Sequence, residues 1–258
     1  MIFIISRALK LTSKKQLQVL PLKSIMVMKT IQLKDALANN SKVIENIIGI
    51  PSGFKTSDIA TDNVFILYYR MLDNRPIVIE INKWTSLQNK GEIAAGVVVF
   101  DGIKTLVISV MDVSLRWSAK GVNAGGNTVS KRSIALNDFD GELNTTAQIT
   151  HSECSSVNYA SGFCAQYSRV NANGVGLTAG NWWLPSLGEL MMIYANMNKI
   201  NYALSFIDGA AKISETWYWS STERDVIYAW TLIFSYGLIG YNNKSNESFN
   251  VRPVSHIA

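Results

Sequence analysis

The sequence is poor in the residues that build disulfide or metal-linked scaffolds, with two cysteines and two histidines among 258 residues. Two cysteines cannot form the dense disulfide framework of small secreted domains. The spacing of Cys154 and Cys164 fits neither a zinc knuckle nor a thioredoxin-type motif. Turn-prone residues between them allow a local disulfide, and two free thiols are the alternative. No stretch is apolar for long enough to span a bilayer, so we expect no membrane insertion.

The excess of positive charge lies in one short segment. The chain has 24 basic and 19 acidic residues, and five of the basic ones lie in residues 1–27, which contain no acid. The remainder is therefore balanced and offers no surface that could track phosphates, which argues against a nucleic-acid partner. Residues 1–27 also lack the charge order of a secretory signal. We interpret them as a disordered arm or as a mis-called start before Met26 or Met28.

The pattern that follows indicates a small N-terminal α/β module over residues 28–88. Helix-like spacing of apolar residues comes first, and the apolar runs 64–69 and 77–81 then predict a β-hairpin. Its apolar content suggests a role in attachment or oligomerisation.

Residues 90–258 are predicted to form a second domain. It begins with another hairpin, made from the runs 94–100 and 105–110 on either side of Asp101-Gly102. The capping box Ser186-Leu187-Gly188-Glu189 after Pro185 predicts the start of a helix, and a second helix is expected over residues 200–207. Four short strands are expected after it, over residues 217–221, 229–235, 238–241 and 250–254. Helices segregated on an antiparallel sheet define an α+β domain.

Several chemical motifs are incomplete. His151 and Glu153 match part of a zinc deaminase motif, but the Pro-Cys-x-x-Cys segment is missing. Oxygen donors alternate as in a calcium loop but lack its late bidentate acid, so we favour a solvated turn at Asp138, Asp140, Glu142 and Asn144. The glycine-rich stretch 118–130 lacks the spacing of a phosphate cradle and is interpreted as a loop. No nucleophile elbow or catalytic triad is visible. We therefore expect no enzyme, no metal and no cofactor.

The last third of the chain carries a family resemblance. Trp182-Trp183-Leu184-Pro185 leads through Glu189-Leu190 into a helix, and Tyr218-Trp219-Ser220-Ser221-Thr222, Ala229-Trp230 and Val251-Arg252-Pro253-Val254 follow. This order resembles the C-type-lectin-like domain at the C-terminus of the Legionella collagen-like adhesin. It is also similar to the lectin-like variant shared by formylglycine-generating enzymes and the variable proteins of diversity-generating retroelements. The resemblance covers about residues 90–258 and implies a C-type-lectin-like fold of this variant.

The resemblance also implies a division between scaffold and ligand contacts. Scaffold positions are matched by Trp182, Leu184, Pro185, Trp217, Trp219, Trp230 and Arg252. Ligand contacts are expected on an exposed edge, at Glu223, Arg224, Asp225, Tyr228, Tyr236, Tyr241, Asn242, Asn243, Lys244, Asn246, Ser248 and Asn250. Tyrosine, asparagine and serine suit such a surface because rigid amphipathic rings stand beside adaptable hydrogen-bonding groups. Surface loops are, however, rich in asparagine and serine in any case.

These features predict a non-enzymatic receptor-binding protein of a phage or prophage, at the tip of a tail or fibre on the virion surface. Its partner would be a host cell-surface protein or glycan, and a homo-trimer or incorporation into the virion fits this interpretation. Diversification by a retroelement is a narrower hypothesis. One alternative is an adhesin on the bacterial cell surface, although no secretion signal is apparent. Another is a formylglycine-generating enzyme, which the cysteine positions disfavour because Cys154 and Cys164 precede the tryptophan motif.

Overall fold

The computed structural model of the chain describes residues 10–12, 16–18, 63–102 and 104–257. The chain divides into two compact units, Met1–Asp62 and Asn63–Ala258. In the first unit, β1 (Lys10–Thr12) and β2 (Gln16–Gln18) pair antiparallel. The interpretation of residues 1–27 as an arm or mis-called start, and of residues 28–62 as part of a module, otherwise lies outside the described residues.

The second unit is a mixed α+β structure. Its strands are β3 (Val64–Tyr69), β4 (Pro76–Ile79), β5 (Ala94–Phe100), β6 (Thr105–Ile108), β7 (Val113–Arg116), β8 (Arg169–Val170), β9 (Gly176–Leu177), β10 (Trp217–Glu223), β11 (Tyr228–Ile233), β12 (Leu238–Asn243), β13 (Ser248–Val251) and β14 (Val254–Ser255). Its helices are α1 (Ile81–Gln88), α2 (Arg132–Ala135), α3 (Gly141–Gln148), α4 (Ser152–Ser155), α5 (Ala160–Gln166), α6 (Leu187–Ala195) and α7 (Met197–Leu204). None of these described helices is long and apolar enough to cross a membrane.

One sheet has the strand order β14-β6-β5-β3-β4 and is antiparallel throughout. Both predicted hairpins are found in it, as β3–β4 and β5–β6. β5 is an almost uninterrupted apolar run, as expected of a strand that is covered on both faces. At Gly96 a Cβ atom would lie 2.6 Å from the carbonyl oxygen of Ile108, so the two strands require glycine there.

This sheet corrects the predicted domain boundary. β3 and β4 fall inside the expected module 28–88, yet β3 pairs along its length with β5, which begins the expected second domain. The described residues from Asn63 onward therefore belong to one unit, and the boundary near residue 89 is wrong. The local hairpin signal cannot reveal which further strand completes the sheet.

The other large sheet has the order β12-β11-β10-β13-β7. β13 is parallel to β10 and antiparallel to β7, so it joins a late hairpin to an early strand. The single strand expected over residues 250–254 is in fact two, β13 and β14, which lie in different sheets. Pro253 separates them, because a proline has no N–H to continue a ladder.

Two apolar clusters cover opposite faces of this sheet. Tyr218, Trp230 and Leu232 belong to the larger cluster, together with β3, β5, β6, α6 and α7. Trp219 and Ala229, which are their neighbours in sequence, belong to the smaller cluster around Trp117, Cys154, Cys164 and Leu184. This alternation follows from the two-residue side-chain period of a strand. The centre of the sheet is thus fixed from both sides.

The predicted helix start at Ser186 is confirmed. The backbone N–H of Ser186 donates to the Glu189 carboxylate at 2.9 Å, as in a capping box. Glu189 also accepts a hydrogen bond from the Trp183 indole at 3.1 Å and forms an ion pair with Lys104. Burial raises the pKa of Glu189, and the Lys104 ammonium group opposes that shift. The second helix, α7, begins at Met197, three residues earlier than predicted.

Candidate ligand-binding surface

Two tyrosines meet on one face of the β11–β12 hairpin. The register pairs Tyr228 with Asn243 and Trp230 with Tyr241, so Tyr228, Trp230 and Tyr241 share a face. The ring centroids of Tyr228 and Tyr241 are 5.5 Å apart at 72°, and those of Trp230 and Tyr241 are 5.8 Å apart at 84°. Such edge-to-face contacts contribute about 0.5–1.5 kcal/mol beyond burial. They hold the Tyr241 side chain although it is 47% exposed.

A charged pair covers these rings. The Arg224 guanidinium lies 3.9 Å from the Tyr241 ring centroid and 5.7 Å from that of Tyr228. Its Nη1 atom donates to Asp225 Oδ2 at 2.7 Å. The other oxygen of Asp225 accepts the backbone N–H groups of Ile227 at 2.8 Å and of Tyr228 at 2.9 Å. We call Arg224, Asp225, Tyr228 and Tyr241 the Tyr228–Tyr241 surface.

Two of the expected ligand contacts are interior residues. Glu223 and Lys244 were expected on the exposed edge, but the side chains of both are 0% exposed, so that expectation is wrong. Lys244 Nζ contacts Glu223 Oε2 at 2.5 Å and also donates to the carbonyl oxygens of Val122 at 2.7 Å and Asp225 at 2.8 Å. Lys244 can be buried because its ammonium group has three hydrogen-bond acceptors in the interior, and one of them carries the opposite charge.

The buried pair organises the loops around the surface. The Glu223 carboxylate accepts the backbone N–H groups of Ala124 at 3.2 Å and of Gly126 at 3.3 Å. The glycine-rich stretch is therefore a loop, as predicted, but one anchored on Glu223. Lys244 Nζ lies 4.5 Å from the Trp117 ring centroid. Burial lowers the pKa of Lys244, and the hydrogen bond and charge of Glu223 oppose this shift.

The structure does not bring all predicted contacts together. Tyr236 is 71% exposed but lies in the turn between β11 and β12, at the end opposite to Tyr228. At about 3.3 Å per residue, the length of β11 alone separates the two ends by roughly 17 Å. Asn242 donates to the Thr231 hydroxyl, and Asn250 donates to that of Ser214.

The remaining predicted contacts lie at the end of the hairpin where Tyr228 lies or beyond it. Asn243 Oδ1 accepts the backbone N–H of Ser245 at 3.0 Å. Asn246 is exposed in the segment that leads into β13, and Ser248 is exposed at the first position of that strand. Whether any of these side chains contacts a ligand stays a prediction.

Most of the predicted scaffold residues are buried. Trp182, Leu184, Pro185, Trp219 and Trp230 lie in the interior, whereas Trp217 is half-buried. The Trp217 ring lies against Gly240, where a Cβ atom would be 3.1 Å from the indole, and its centroid is 6.0 Å from that of Phe249.

Arg252 is a buried charge whose two terminal nitrogens have local partners, whereas its Nε atom has no hydrogen-bond partner in the described part of the chain. Its guanidinium donates to Asp112 at 2.8 Å and to the carbonyl oxygens of Ser109 at 2.9 Å and Ala211 at 3.1 Å. It therefore holds the chain segments before β7 and before β10 against the end of β13, which is a scaffold position.

The two cysteines and Asp138, which were considered for chemistry, are buried. Cys154 and Cys164 are free thiols and both are buried, so the alternative of two free thiols describes them. Burial, and to a smaller degree Glu223, raises the pKa of Cys154 to about 12. Asp138 is buried and accepts hydrogen bonds from Thr222 and Asn144. In the described part of the chain no group of three or more His, Cys, Asp or Glu residues is placed to hold a metal ion.

Comparison with known proteins supplies the family. The geometry defines a class of protein, namely a mixed α+β unit that carries the Tyr228–Tyr241 surface on its β11–β12 hairpin. The family model described as the Lcl C-terminal domain matches residues 112–255, and the chain belongs to this family. The match begins one residue before β7 and ends with β14, so it spans the whole sheet that carries the Tyr228–Tyr241 surface.

One solved structure is similar. It is the crystal structure of a fimbrial protein from Bacteroides ovatus, with 18% sequence identity and a TM-score of 0.38. The similarity covers 58% of this chain and 35% of the fimbrial protein, so the chain spans about a third of that protein's length. Among curated proteins no significant match is found.

Proposed function

We propose that the chain is a receptor-binding protein that attaches to a cell surface through the Tyr228–Tyr241 surface. The observation that carries this proposal is the stack of Arg224 on Tyr241 beside Tyr228. The two rings and the guanidinium are held by their neighbours while they stay partly exposed to solvent, which is the arrangement of a preorganised contact surface. Membership of the Lcl C-terminal domain family supports the proposal, because the last third of the chain resembles the C-terminal domain of the Legionella collagen-like adhesin.

Three finer proposals accompany it. We propose that the unit has a C-type-lectin-like fold of the formylglycine-generating variant. We place the protein on a phage or prophage tail or fibre, with a bacterial surface adhesin as the alternative, and a homo-trimer fits either place. Diversification by a retroelement would require a reverse-transcriptase gene and an adenine-rich copy of the gene's 3′ end nearby. Flanking tail or capsid genes would favour the virion.

We propose binding rather than catalysis. The oxidase chemistry of formylglycine-generating enzymes depends on active-site cysteines, and thiolates are the reactive form of the thiol. Cys154 and Cys164 are buried and burial raises the pKa of both, so thiolates are disfavoured at neutral pH.

The proposal is tested with the fluorescently labelled full chain on a panel of bacterial strains and epithelial cells. We expect saturable binding to at least one cell type, and a loss of about tenfold or more in affinity for the variant with Tyr228→Ala and Tyr241→Ala, as for an interface hot spot. Tyr202→Ala is the matched control, since Tyr202 is an exposed tyrosine on α7. Tyr236→Ala, measured separately, reveals whether the contact extends to the turn. Equal binding by the double variant and the wild type would refute this placement.

A further inference from the structure

Three of the four edge strands of the two large sheets are protected against pairing with another chain. On the outer side of β14, Val254 exchanges two backbone hydrogen bonds with Trp183, at 2.9 and 3.0 Å. β7 has a bridge between Arg116 and Tyr159. β4 begins with Pro76, which has no N–H to offer. Sheets need such protection because an open edge is a template for a further strand.

The fourth edge strand, β12, has none of these protections. Its six residues, Leu238–Asn243, include neither a proline nor a charged residue, and its register with β11 contains no bulge. In the described part of the chain, β11 is the one strand that pairs with it. The outer edge of β12 is therefore open.

Two residues of β12 direct their backbone groups toward this open edge. The Lys244 N–H donates to the Ile227 carbonyl oxygen at 3.0 Å, one step beyond the paired positions of β11 and β12. In an antiparallel pair, residues that bond across alternate with residues that face away. Counted back from Lys244, Tyr241 and Ile239 face away from β11. Among the described residues, no hydrogen bond to their backbone N–H or C=O groups closes this edge.

The open groups are arranged symmetrically about Gly240. When a second β12 runs antiparallel to the first with the two Gly240 residues opposite each other, Ile239 of each copy lies opposite Tyr241 of the other. Each of these two pairs exchanges two backbone hydrogen bonds, so four form in all. The edge is thus complementary to itself, which is what a two-fold interface requires.

One face of this pairing brings together apolar side chains. Ile239 packs against the larger apolar cluster of its own copy, and the neighbouring Tyr241 is 47% exposed. Across the axis, Ile239 and Tyr241 become direct neighbours, and a β-branched residue opposite an aromatic ring is a favourable cross-strand pair. The segment between Asp225 and Lys244 contains no charged residue, so no like charges meet.

The other face is covered at the axis by tryptophan. The half-buried Trp217 ring reaches from β10 across β11 to the edge, where a Cβ atom on Gly240 would lie 3.1 Å from it. With the two Gly240 residues opposite each other, the Trp217 rings of both copies approach the axis from either side. Their exposed parts would then be removed from water, which favours association.

We propose that two copies of this chain form a dimer in which the β12 strands pair antiparallel about Gly240 and join the two five-stranded sheets into one. Both open edges are then occupied, so the assembly closes at two copies. Two strands of this length bury less than the roughly 1,600 Å² of a standard interface, and we expect a dissociation constant in the micromolar range. The dimer does not depend on the proposed cell attachment, because it forms without a receptor.

The dimer also joins two copies of the Tyr228–Tyr241 surface. A two-fold axis perpendicular to the sheet keeps both on the same face, with the two Tyr241 side chains diagonally across the strand pair, about 7–8 Å apart. The pairing uses the Tyr241 backbone and leaves Arg224 stacked on its ring. Two contact surfaces on one face bind a cell more tightly than either does alone.

The first test is sedimentation velocity of the full chain from about 1 to 300 µM, a range that brackets the expected dissociation constant. We expect a transition from one chain to two. Ile239→Pro should raise the dissociation constant by about tenfold or more, because proline removes one outward N–H per copy and two of the four bonds. The hydrogen bonds between β12 and β11 do not use this N–H, so the hairpin is kept.

Val78→Pro is the matched control. Val78 is a β-branched residue of the edge strand β4, and counted from the bond between the Arg70 N–H and the Arg75 carbonyl oxygen, its N–H also faces outward. This variant should dimerise as the wild type does. Three results would overturn the proposal: a wild type that is monomeric throughout, an assembly that Ile239→Pro leaves unchanged, or an equal loss in Val78→Pro. A trimer built on another surface would give the second result.

Hydrogen exchange tests the same interface without a variant. The amides of Ile239 and Tyr241 should exchange about tenfold or more slowly at concentrations where the dimer predominates than where the chain is monomeric. The Gly240 amide faces β11 and should be protected at all concentrations. Exchange at Ile239 and Tyr241 that stays constant while the chain associates would place the interface elsewhere and overturn the proposal.

Discussion

The Glu223 carboxylate contacts the Lys244 ammonium group at 2.5 Å in the protein interior, across 21 residues of sequence. The pair joins the end of β10 to the residue that follows β12, and so closes the hairpin at the end where Tyr228 lies. Its further hydrogen bonds reach Val122, Ala124 and the Asp225 carbonyl oxygen. The exposed surface is thus built on a buried ionic contact.

Removal of one partner should destabilise the protein strongly. We expect Lys244→Met to lower the free energy of unfolding by about 3–5 kcal/mol, because the Glu223 charge stays buried without its partner. Urea denaturation followed by tryptophan fluorescence measures the change. The double variant Glu223→Gln with Lys244→Met should recover part of the loss, since no uncompensated charge remains. A single variant within about 1 kcal/mol of wild type would contradict a structural role for the pair, given the cost of an unpaired buried charge.

Asp225 should control the local order of the loop rather than global stability. Asp225→Ala removes the acceptor of two backbone N–H groups, and we expect a loss of about 0.5–1.5 kcal/mol in the free energy of unfolding. Hydrogen exchange at Ile227 and Tyr228 should accelerate, because their amides lose their acceptor. Asp73→Ala, in the other exposed arginine–aspartate pair, is the control and should leave these two amides unchanged. Unaltered exchange in Asp225→Ala would show that other contacts hold the loop.

The buried thiols should make stability fall at alkaline pH. The folded pKa of Cys154 is raised to about 12 from an ordinary value of 9.0, and that of Cys164 is raised well above it. The unfolded chain therefore releases these protons first, so their contribution is complete below pH 9 and declines as the pH rises. The slope is about 1.4 kcal/mol per pH unit for each thiol.

Comparison of slopes isolates the thiols from other groups. The free energy of unfolding of the wild type and of the double variant Cys154→Ala with Cys164→Ala is measured from pH 8 to pH 10.5 under reducing conditions. Wild type and variant share the tyrosines and Lys244, so they differ in the thiols alone. The free energy of unfolding of the variant should therefore fall less steeply above about pH 9, whatever its value at neutral pH. Parallel profiles would mean that the thiols ionise normally in the fold.

Gly188 should not tolerate a methyl group although it lies in a helix. Alanine is favoured over glycine in a helix interior by about 1 kcal/mol. A Cβ atom at Gly188 would, however, lie 2.4 Å from the Asp138 carbonyl oxygen and 2.8 Å from the Phe139 ring. We expect Gly188→Ala to destabilise the protein by about 1–3 kcal/mol, as overpacking does. Asn198→Ala, at an exposed position of α7, is the control and should change little.

Hydrophobic periodicity and helix-capping residues predict the local structure. They do not predict which strands pair over long distances in the sequence. The hairpins β3–β4 and β5–β6 and the start of α6 follow from residues close in sequence. The union of β3 with β5, the position of β13 between β10 and β7, and the division of the last strand at Pro253 depend on which edges are available in the folded sheet. No local pattern records this information.

The surface was predicted in part for the same reason. Tyr228 and Tyr241 were identified by residue type, and the two-residue period explains why they meet. Glu223 and Lys244 were assigned to the surface because they lie in the segments that the family resemblance matches to an exposed edge, and charged residues are mostly exposed. Burial of both depends on Val122, Ala124 and Trp117, which lie about a hundred residues earlier in the sequence. The opposite charges of Glu223 and Lys244 on either side of the hairpin do indicate an ion pair. They do not show whether that pair is buried or exposed.

The position of β13 also constrains how the protein can be made. Among the described strands, β7 pairs in its sheet with β13 alone, and β14, which begins three residues after β13 ends, completes the other sheet. A nascent chain that has emerged from the ribosome as far as β12 therefore lacks β13 in one sheet and β14 in the other. Both close together once residues 248–255 are released, so we expect folding of this unit to finish after translation of that segment rather than progressively along the chain.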